Sequence, residues 1–345
     1  MDRKVNFAII GLGNISNIHA LAINNIENAC LKAVYGRNIE KAKNFAQKYN
    51  VEKVYTDLPK MLTDREIEAV CILTPSGLHG ELGKQVAKAK KHVIVEKPID
   101  ITLDKADELI KTCEEEGVKL AVISQHRMDQ SIIKVKEAVD NGDFGRLVLG
   151  DAHIKWFRSQ EYYDSDSWRG TWELDGGGAL INQSIHTIDL LLYIMGDVDS
   201  LYAYCNTLGH ERIEVEDVAT ATLRFKNGAL GTIIGSTAVY PGLPARLEIN
   251  GTKGSATIEG DEIVYWNCLD PQKSINIVDN THKTGASNPM DIDYIPHKLQ
   301  LEGIVDAIIN DKKIKCDGYE GRRALEVILA IYDSAKTGKP VVLKN

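Results

Sequence analysis

VNFAIIGLGNIS, residues 5–16, runs from an apolar segment into a glycine pair and then into a helical pattern that continues through Asn25. Strand, glycine loop and helix in that order are the context that a dinucleotide fingerprint requires. Gly11 permits the tight turn and Gly13 lets the backbone approach a pyrophosphate. The helix start at Asn14 and Ile15 offers unpaired N–H groups to the anion. Ser16 stands where a third small residue is needed for close helix–strand packing. The alternative for these residues alone is an ordinary strand-to-helix turn.

Working outward, CLKAVYG, KVYTD, IEAVCILTP, HVIVEKP and KLAVIS read as further strands, separated by helical patterns and short connections. That alternation predicts a parallel sheet covered on both faces, the doubly wound Rossmann fold, over residues 1–125. Ligands of this fold bind beyond the carboxyl ends of the strands. Three strand ends there carry suggestive residues. After the second strand comes Gly36-Arg37-Asn38, with no acid to hold a ribose hydroxyl pair. The cofactor is therefore NAD(H) or NADP(H), with a lean to NADP(H) because the Arg37 guanidinium suits a 2'-phosphate. The other reading of Arg37 is a solvated surface charge. The fourth and fifth strands end in TPSGLH, with Thr74, Pro75 and His79, and in EKP, with Glu96, Lys97 and Pro98. A lysine partly desolvated beside a bound cation is tuned towards acid–base work. A salt bridge between Lys97 and Glu96 is the structural alternative.

From residue 145 onward the pattern changes to long alternating segments, with a hairpin signal at Asn227-Gly228 and a second turn in GTKG, residues 251–254. These predict an α+β domain over residues 126–345, built on a large, mostly antiparallel open sheet. Within it GGGALINQSIHTIDLLLYIMG, residues 176–196, reads as a largely buried helix. At about 100° per residue Asn182, His186, Asp189 and Tyr193 share one narrow stripe. Buried polar groups find partners or face a ligand. Trp168 and Arg169 precede the helix and either border the nicotinamide or pack as core and ion pair. Gln125, His126 and Arg127 follow the sixth strand as candidate substrate contacts. Tyr294 and His297 open the first of two C-terminal amphipathic helices and join that group. Residues 279–291 read as a polar loop.

The composition narrows the class. The chain has 345 residues, 43% of them hydrophobic, and a net charge of -8, which argues against a nucleic-acid surface. The six cysteines show no CxxC pair and no zinc spacing, so they read as core residues in a reducing compartment, with no metal expected. No segment has the length of a membrane span, and the N-terminal apolar run is too short for a signal peptide. A cytoplasmic location is the expectation, with a small molecule and further copies of the chain as partners.

GLGNIS after the first strand, TPSGLH after the fourth, EKP after the fifth and GGGALINQSIHTID in the second half occur in the order of the Gfo/Idh/MocA family. The chain resembles these relatives of glucose-fructose oxidoreductase and inositol dehydrogenase over almost its whole length. The resemblance implies an NAD(P)-dependent oxidoreductase acting on a secondary hydroxyl of a sugar, inositol or nucleotide sugar. Lys97 matches the lysine of the family's catalytic pair and His186 its histidine. Asn182 falls where inositol dehydrogenase-like members carry Asp, and it resembles members acting on UDP-linked amino sugars. It also implies a homodimer or homotetramer formed through the second sheet. His186 as base with Lys97 stabilising alkoxide character is one assignment, and the reverse is open. Two rival functions remain: a redox-neutral NAD-dependent glycosidase of the same fold, and a non-catalytic dinucleotide-sensing regulator.

Overall fold

The computed structural model describes residues 3–275 and 293–343. The chain forms two units, one comprising Met1–Gln125 with Asp293–Arg322 and the other His126–Ile292 with Arg323–Asn345.

In the first unit the elements follow as β1 (Val5–Ile10), α1 (Asn14–Asn24), β2 (Ala29–Tyr35), α2 (Ile39–Tyr49), β3 (Lys53–Tyr55), α3 (Leu58–Leu62), β4 (Ala69–Ile72), α4 (His79–Lys88), β5 (His92–Val95), α5 (Leu103–Glu116) and β6 (Leu120–Val122). The six strands pair in the order β3-β2-β1-β4-β5-β6, every pairing parallel. This is the expected doubly wound sheet, with its switch point between β1 and β4. All four residues of β4 and the last three of β5 are buried, as strands covered on both faces must be. Helix starts are set by side chains that accept the orphan N–H groups of the first turn: Asn38 for α2, Asp57 for α3 and Thr102 for α5.

The second unit continues with α6 (Gln130–Asp140), β7 (Leu147–Lys155), α7 (Gln160–Asp164), α8 (Ile185–Met195), β8 (Val198–Asn206), β9 (Val218–Phe225), β10 (Leu230–Ser236), β11 (Arg246–Gly251), β12 (Gly254–Glu259) and β13 (Glu262–Cys268). The chain ends with α9 (Ile295–Ile309), α10 (Gly318–Thr337) and β14 (Val341–Val342). The sheet runs β13-β12-β11-β7-β10-β9-β8-β14. Only β7 and β10 pair in parallel; the other pairings are antiparallel. The β9–β10 hairpin turns at Asn227-Gly228, where Gly228 has φ +87°. Along β9 buried Ala219, Ala221, Leu223 and Phe225 alternate with exposed Thr220, Thr222 and Arg224. One face is therefore core and the other open. Helix α8 packs on β7 and β11 with Ile188, Leu191 and Met195 buried.

Two details differ from the sequence expectation. Residues 176–196 are not one uniform α-helix, because Ala179–Ser184 is a π-helical segment and α8 begins only at Ile185. Residues 293–322, expected within the second domain, group with the first unit. There Leu301, Ile304, Val305 and Ile308 of α9 join the cluster built on Val5, Phe7 and Ile9. Gln300 from α9 accepts from the Ser124 N–H at 2.9 Å and donates to the Val122 carbonyl at 2.8 Å, completing the end of β6. No disulfide is formed among the described residues. No helix among the described residues is long and apolar enough to cross a membrane. The polar loop expected at 279–291 lies outside the described residues.

Candidate active site

In the first unit the glycine loop is shaped from both sides. Gly11 has φ +97°, and a Cβ there would lie 2.6 Å from the Leu73 carbonyl oxygen, so only glycine fits. A Cβ on Gly13 would meet nothing within 4 Å. Gly13 caps α1 without any side-chain hydrogen bond, and the first turn holds no acid. That leaves the positive end of the helix to an anion. Ser16 is fully buried, and its Oγ donates to the Gly13 carbonyl at 2.5 Å. Thr74 Oγ1 and Gln125 Oε1 are buried polar atoms with no hydrogen-bond partner among the described residues. A bare helix start, an open cradle over Gly13 and orphaned polar atoms after β4 and β6 all fit a bound dinucleotide.

His79, expected at the cofactor, is buried, with Nδ1 2.8 Å from the Pro98 carbonyl and Nε2 2.9 Å from that of Thr74. It braces the loop after β4 against the loop after β5. Lys97 stands half-buried just beyond β5. Glu96, the preceding residue, is buried. Its carboxylate lies 2.9 Å from His19 Nε2 and 3.6 Å from His297 Nε2, and it accepts from the Lys97 backbone N–H at 3.1 Å. Burial works to raise the Glu96 pKa, but the bond from His19 and the nearby His297 ring outweigh it and hold the carboxyl well below its usual range. One buried carboxylate thus ties the helix after the glycine loop to the residue before Lys97. His297, a candidate substrate contact, is 1% exposed within this cluster. Tyr294 packs against the apolar core, as does Ile15. Arg37 is exposed beyond β2.

In the second unit Glu216 sets the start of the π-helical segment. It accepts from the N–H groups of Gly178 at 2.9 Å and Leu180 at 2.8 Å. A Cβ on Gly178 would fall 1.8 Å from the Glu216 carbonyl oxygen. Burial pushes Glu216 up to about 7 against the pull of those bonds. Within the segment the Asn182 amide donates to Asp175 Oδ1 at 2.6 Å, and its oxygen accepts from Gln183 at 3.1 Å. Asp175 is 2% exposed and also accepts from the Gly170 N–H. A carboxylate therefore stands beside Asn182 although the helix carries none at that position.

Around Gln183 two guanidinium groups gather. Arg158 donates to its amide oxygen at 2.9 Å, and the Tyr162 hydroxyl receives bonds from Gln183 at 3.0 Å and Arg169 at 2.7 Å. Arg169 lies over the Trp168 ring at 4.6 Å and the Tyr162 ring at 4.4 Å. Arg127, expected as a substrate contact, grips Asp189 through two bonds of 2.8 and 2.6 Å, both residues buried, and covers the Tyr193 ring at 4.6 Å. His186 is half-buried on the first turn of α8, and its ring touches that of His126. Along the stripe Asn182 meets Asp175 and His186 meets His126, while Asp189 and Tyr193 share Arg127. His19, Asp175, Tyr162, Arg158 and Glu216 were not singled out from the sequence. Each is an isolated polar residue whose partner is distant in the chain or lies across a turn, so no spacing marks it.

Residues 5–124 match a family model described as an oxidoreductase family with an NAD-binding Rossmann fold, and residues 132–257 match the GFO/IDH/MocA C-terminal domain. The myo-inositol 2-dehydrogenase of Thermotoga maritima is 34% identical over 258 residues, covering 72% of this chain and 74% of that protein. Among solved structures, the WlbA dehydrogenase from Bordetella pertussis in complex with NADH and UDP-GlcNAcA is 33% identical. It superposes with a TM-score of 0.88 over 99% of this chain and 100% of that one. A levoglucosan dehydrogenase in complex with NADH and levoglucosan, 22% identical, shares the fold with a TM-score of 0.89 over 99% of this chain and 100% of that one.

Proposed function

The chain belongs to the Gfo/Idh/MocA family of NAD-binding oxidoreductases, and on that premise we propose that it oxidises a secondary hydroxyl of a sugar, a polyol or a nucleotide sugar. The observation that carries the reading is Glu96, whose single carboxylate binds both His19, on the helix leaving the glycine loop, and the backbone of Lys97. Cofactor cradle and candidate acid–base lysine are held as one piece.

When bound, a dinucleotide would supply the hydride acceptor or donor. The backbone of the loop from Gly11 to Ile15 would hold its pyrophosphate, and Thr74, Pro75 and Gln125 would line its far end. His186 takes the hydroxyl proton, since an imidazole suits a base at neutral pH. Lys97 donates a hydrogen bond to developing alkoxide. Asn182 cannot accept a proton as a carboxylate would. It orients the sugar with Asp175 behind it. Trp168 and Arg169 offer an aromatic face and a guanidinium to the sugar ring or to an anionic substituent.

NAD(H) is the cofactor assigned by family, and the exposed Arg37 gives the 2'-phosphate of NADP(H) a partner as well. A second copy of the chain covers the open face of the eight-stranded sheet, which presents Tyr204, Leu149 and Leu230 to solvent. Cysteines outside any disulfide among the described residues suit a reducing, cytoplasmic setting.

The test is a spectrophotometric screen of sugars, inositols and UDP-sugars with each dinucleotide. Net accumulation of reduced cofactor with at least one class supports a dehydrogenase. Substrate cleavage without net reduction would replace it with the redox-neutral glycosidase. Dinucleotide binding with no turnover of any class would leave a regulator.

A further inference from the structure

His186 has an imidazole neighbour in its own unit. The His126 ring meets it edge to face, with centroids 5.1 Å apart and planes at 79°. His126 Nδ1 lies 2.7 Å from Asp129 Oδ2, and the ionisable atoms of His126, Asp129 and Asp261 all fall within 4.8 Å of one another. Two carboxylates therefore face His126. On the helix of His186 the acid one turn along, Asp189, is already neutralised by Arg127 through a bidentate bond. From α6 the Lys136 ammonium lies over the Tyr193 ring of α8 at 5.3 Å.

Two cations about 5 Å apart repel strongly in partly buried surroundings, so such a ring pair holds one proton charge far more readily than two. The carboxylates decide which ring carries it.

We propose that His126, kept cationic by Asp129 and Asp261, is a positioning residue that holds His186 neutral and ready to take the substrate proton. The role deepens the assignment of His186 as base and rests on it. The arrangement also places a route to solvent beside the base, because the His126 side chain is 34% exposed whereas Asp129 is 12% exposed. A charge on His126 is thus hydrated on one side and paired on the other.

The experiment follows the nine histidines by nitrogen NMR in the full chain, labelled selectively at histidine and saturated with NADH, with His186 assigned by its loss in His186→Gln. Asp129→Asn removes the anion that fixes the charge on His126, and His126→Gln removes the neighbouring cation. Each is expected to raise the titration midpoint of His186 by roughly half to one pH unit. His126→Lys restores a cation and is expected to return the midpoint towards that of the parent protein. With a turned-over substrate, the acidic limb of the kcat/KM profile moves to higher pH by the same amount in the first two variants. A His186 midpoint that stays in place, or falls, in both Asp129→Asn and His126→Gln overturns the proposal. Undiminished turnover in His186→Gln overturns the base assignment instead, and the midpoints separate the two failures because they are read without substrate.

Discussion

Tyr332 donates its hydroxyl to Glu216 across 3.0 Å, and Glu216 holds the backbone at the start of the π-helical segment that carries Asn182. Burial raises this carboxyl to about 7, so the folded chain binds its proton more tightly than the unfolded chain does. The stabilising contribution is fully present below the unfolded value near 4.5 and is lost as pH rises towards 7. Thermal unfolding followed from pH 5 to pH 8 should show a fall of on the order of 3 kcal/mol assignable to this group. In Glu216→Gln the absolute stability is lower, because an amide cannot accept all three bonds, but that part of the slope disappears. An unchanged slope would remove Glu216 as its source.

Replacing Lys97 with Met or His186 with Ala should each lower turnover by about 100-fold or more. Dinucleotide affinity, read by fluorescence titration with NADH, should stay near that of the parent, because neither side chain builds the glycine cradle. Parent-like turnover in both variants would end the acid–base assignment.

The two loop glycines separate fold from binding. Gly13→Ala meets no protein atom within 4 Å, so its melting temperature should match the parent while dinucleotide affinity falls about tenfold or more, the methyl occupying the space of the pyrophosphate. Gly11→Ala faces both a positive φ and the Leu73 carbonyl at 2.6 Å. It should destabilise the first unit by about 1–3 kcal/mol even without ligand.

The Arg127–Asp189 pair is buried on both sides, at 5% and 6% exposure. Arg127→Met strands a carboxylate away from water and should cost about 3–5 kcal/mol in urea unfolding. Arg127→Met combined with Asp189→Leu should cost less than Arg127→Met alone, since no charge is left uncompensated.

The doubly wound sheet was legible because its signals are local. Apolar runs such as AVCI in β4 end at glycine or proline, caps stand at Asn38, Asp57 and Thr102, and hairpin chemistry marks Asn227-Gly228. Lys97 and His186 were legible as residue types in particular contexts. Their surroundings were not. Asn182 meets Asp175 across a glycine turn, and Glu96 meets His19 77 residues away, and no periodicity encodes such meetings. The π-helical segment depends on Glu216, 36 residues beyond Leu180, so reading residues 176–196 as a regular helix missed the change of phase between Asn182 and His186. Helix α9 is amphipathic in sequence, but which core receives its apolar side is decided only by tertiary packing.

The return of α9 to the first core also bears on how the chain matures as it leaves the ribosome. With Leu301, Ile304, Val305 and Ile308 part of the cluster around Phe7, the nascent Rossmann sheet lacks part of its cover until more than three hundred residues have been synthesised. The intervening polypeptide, with seven of the eight strands of the other sheet, emerges before the N-terminal core is complete. A translation stop just short of α9 yields a product whose N-terminal core lacks the side chains of Leu301, Ile304, Val305 and Ile308 and keeps only the cover that α1 and α2 supply.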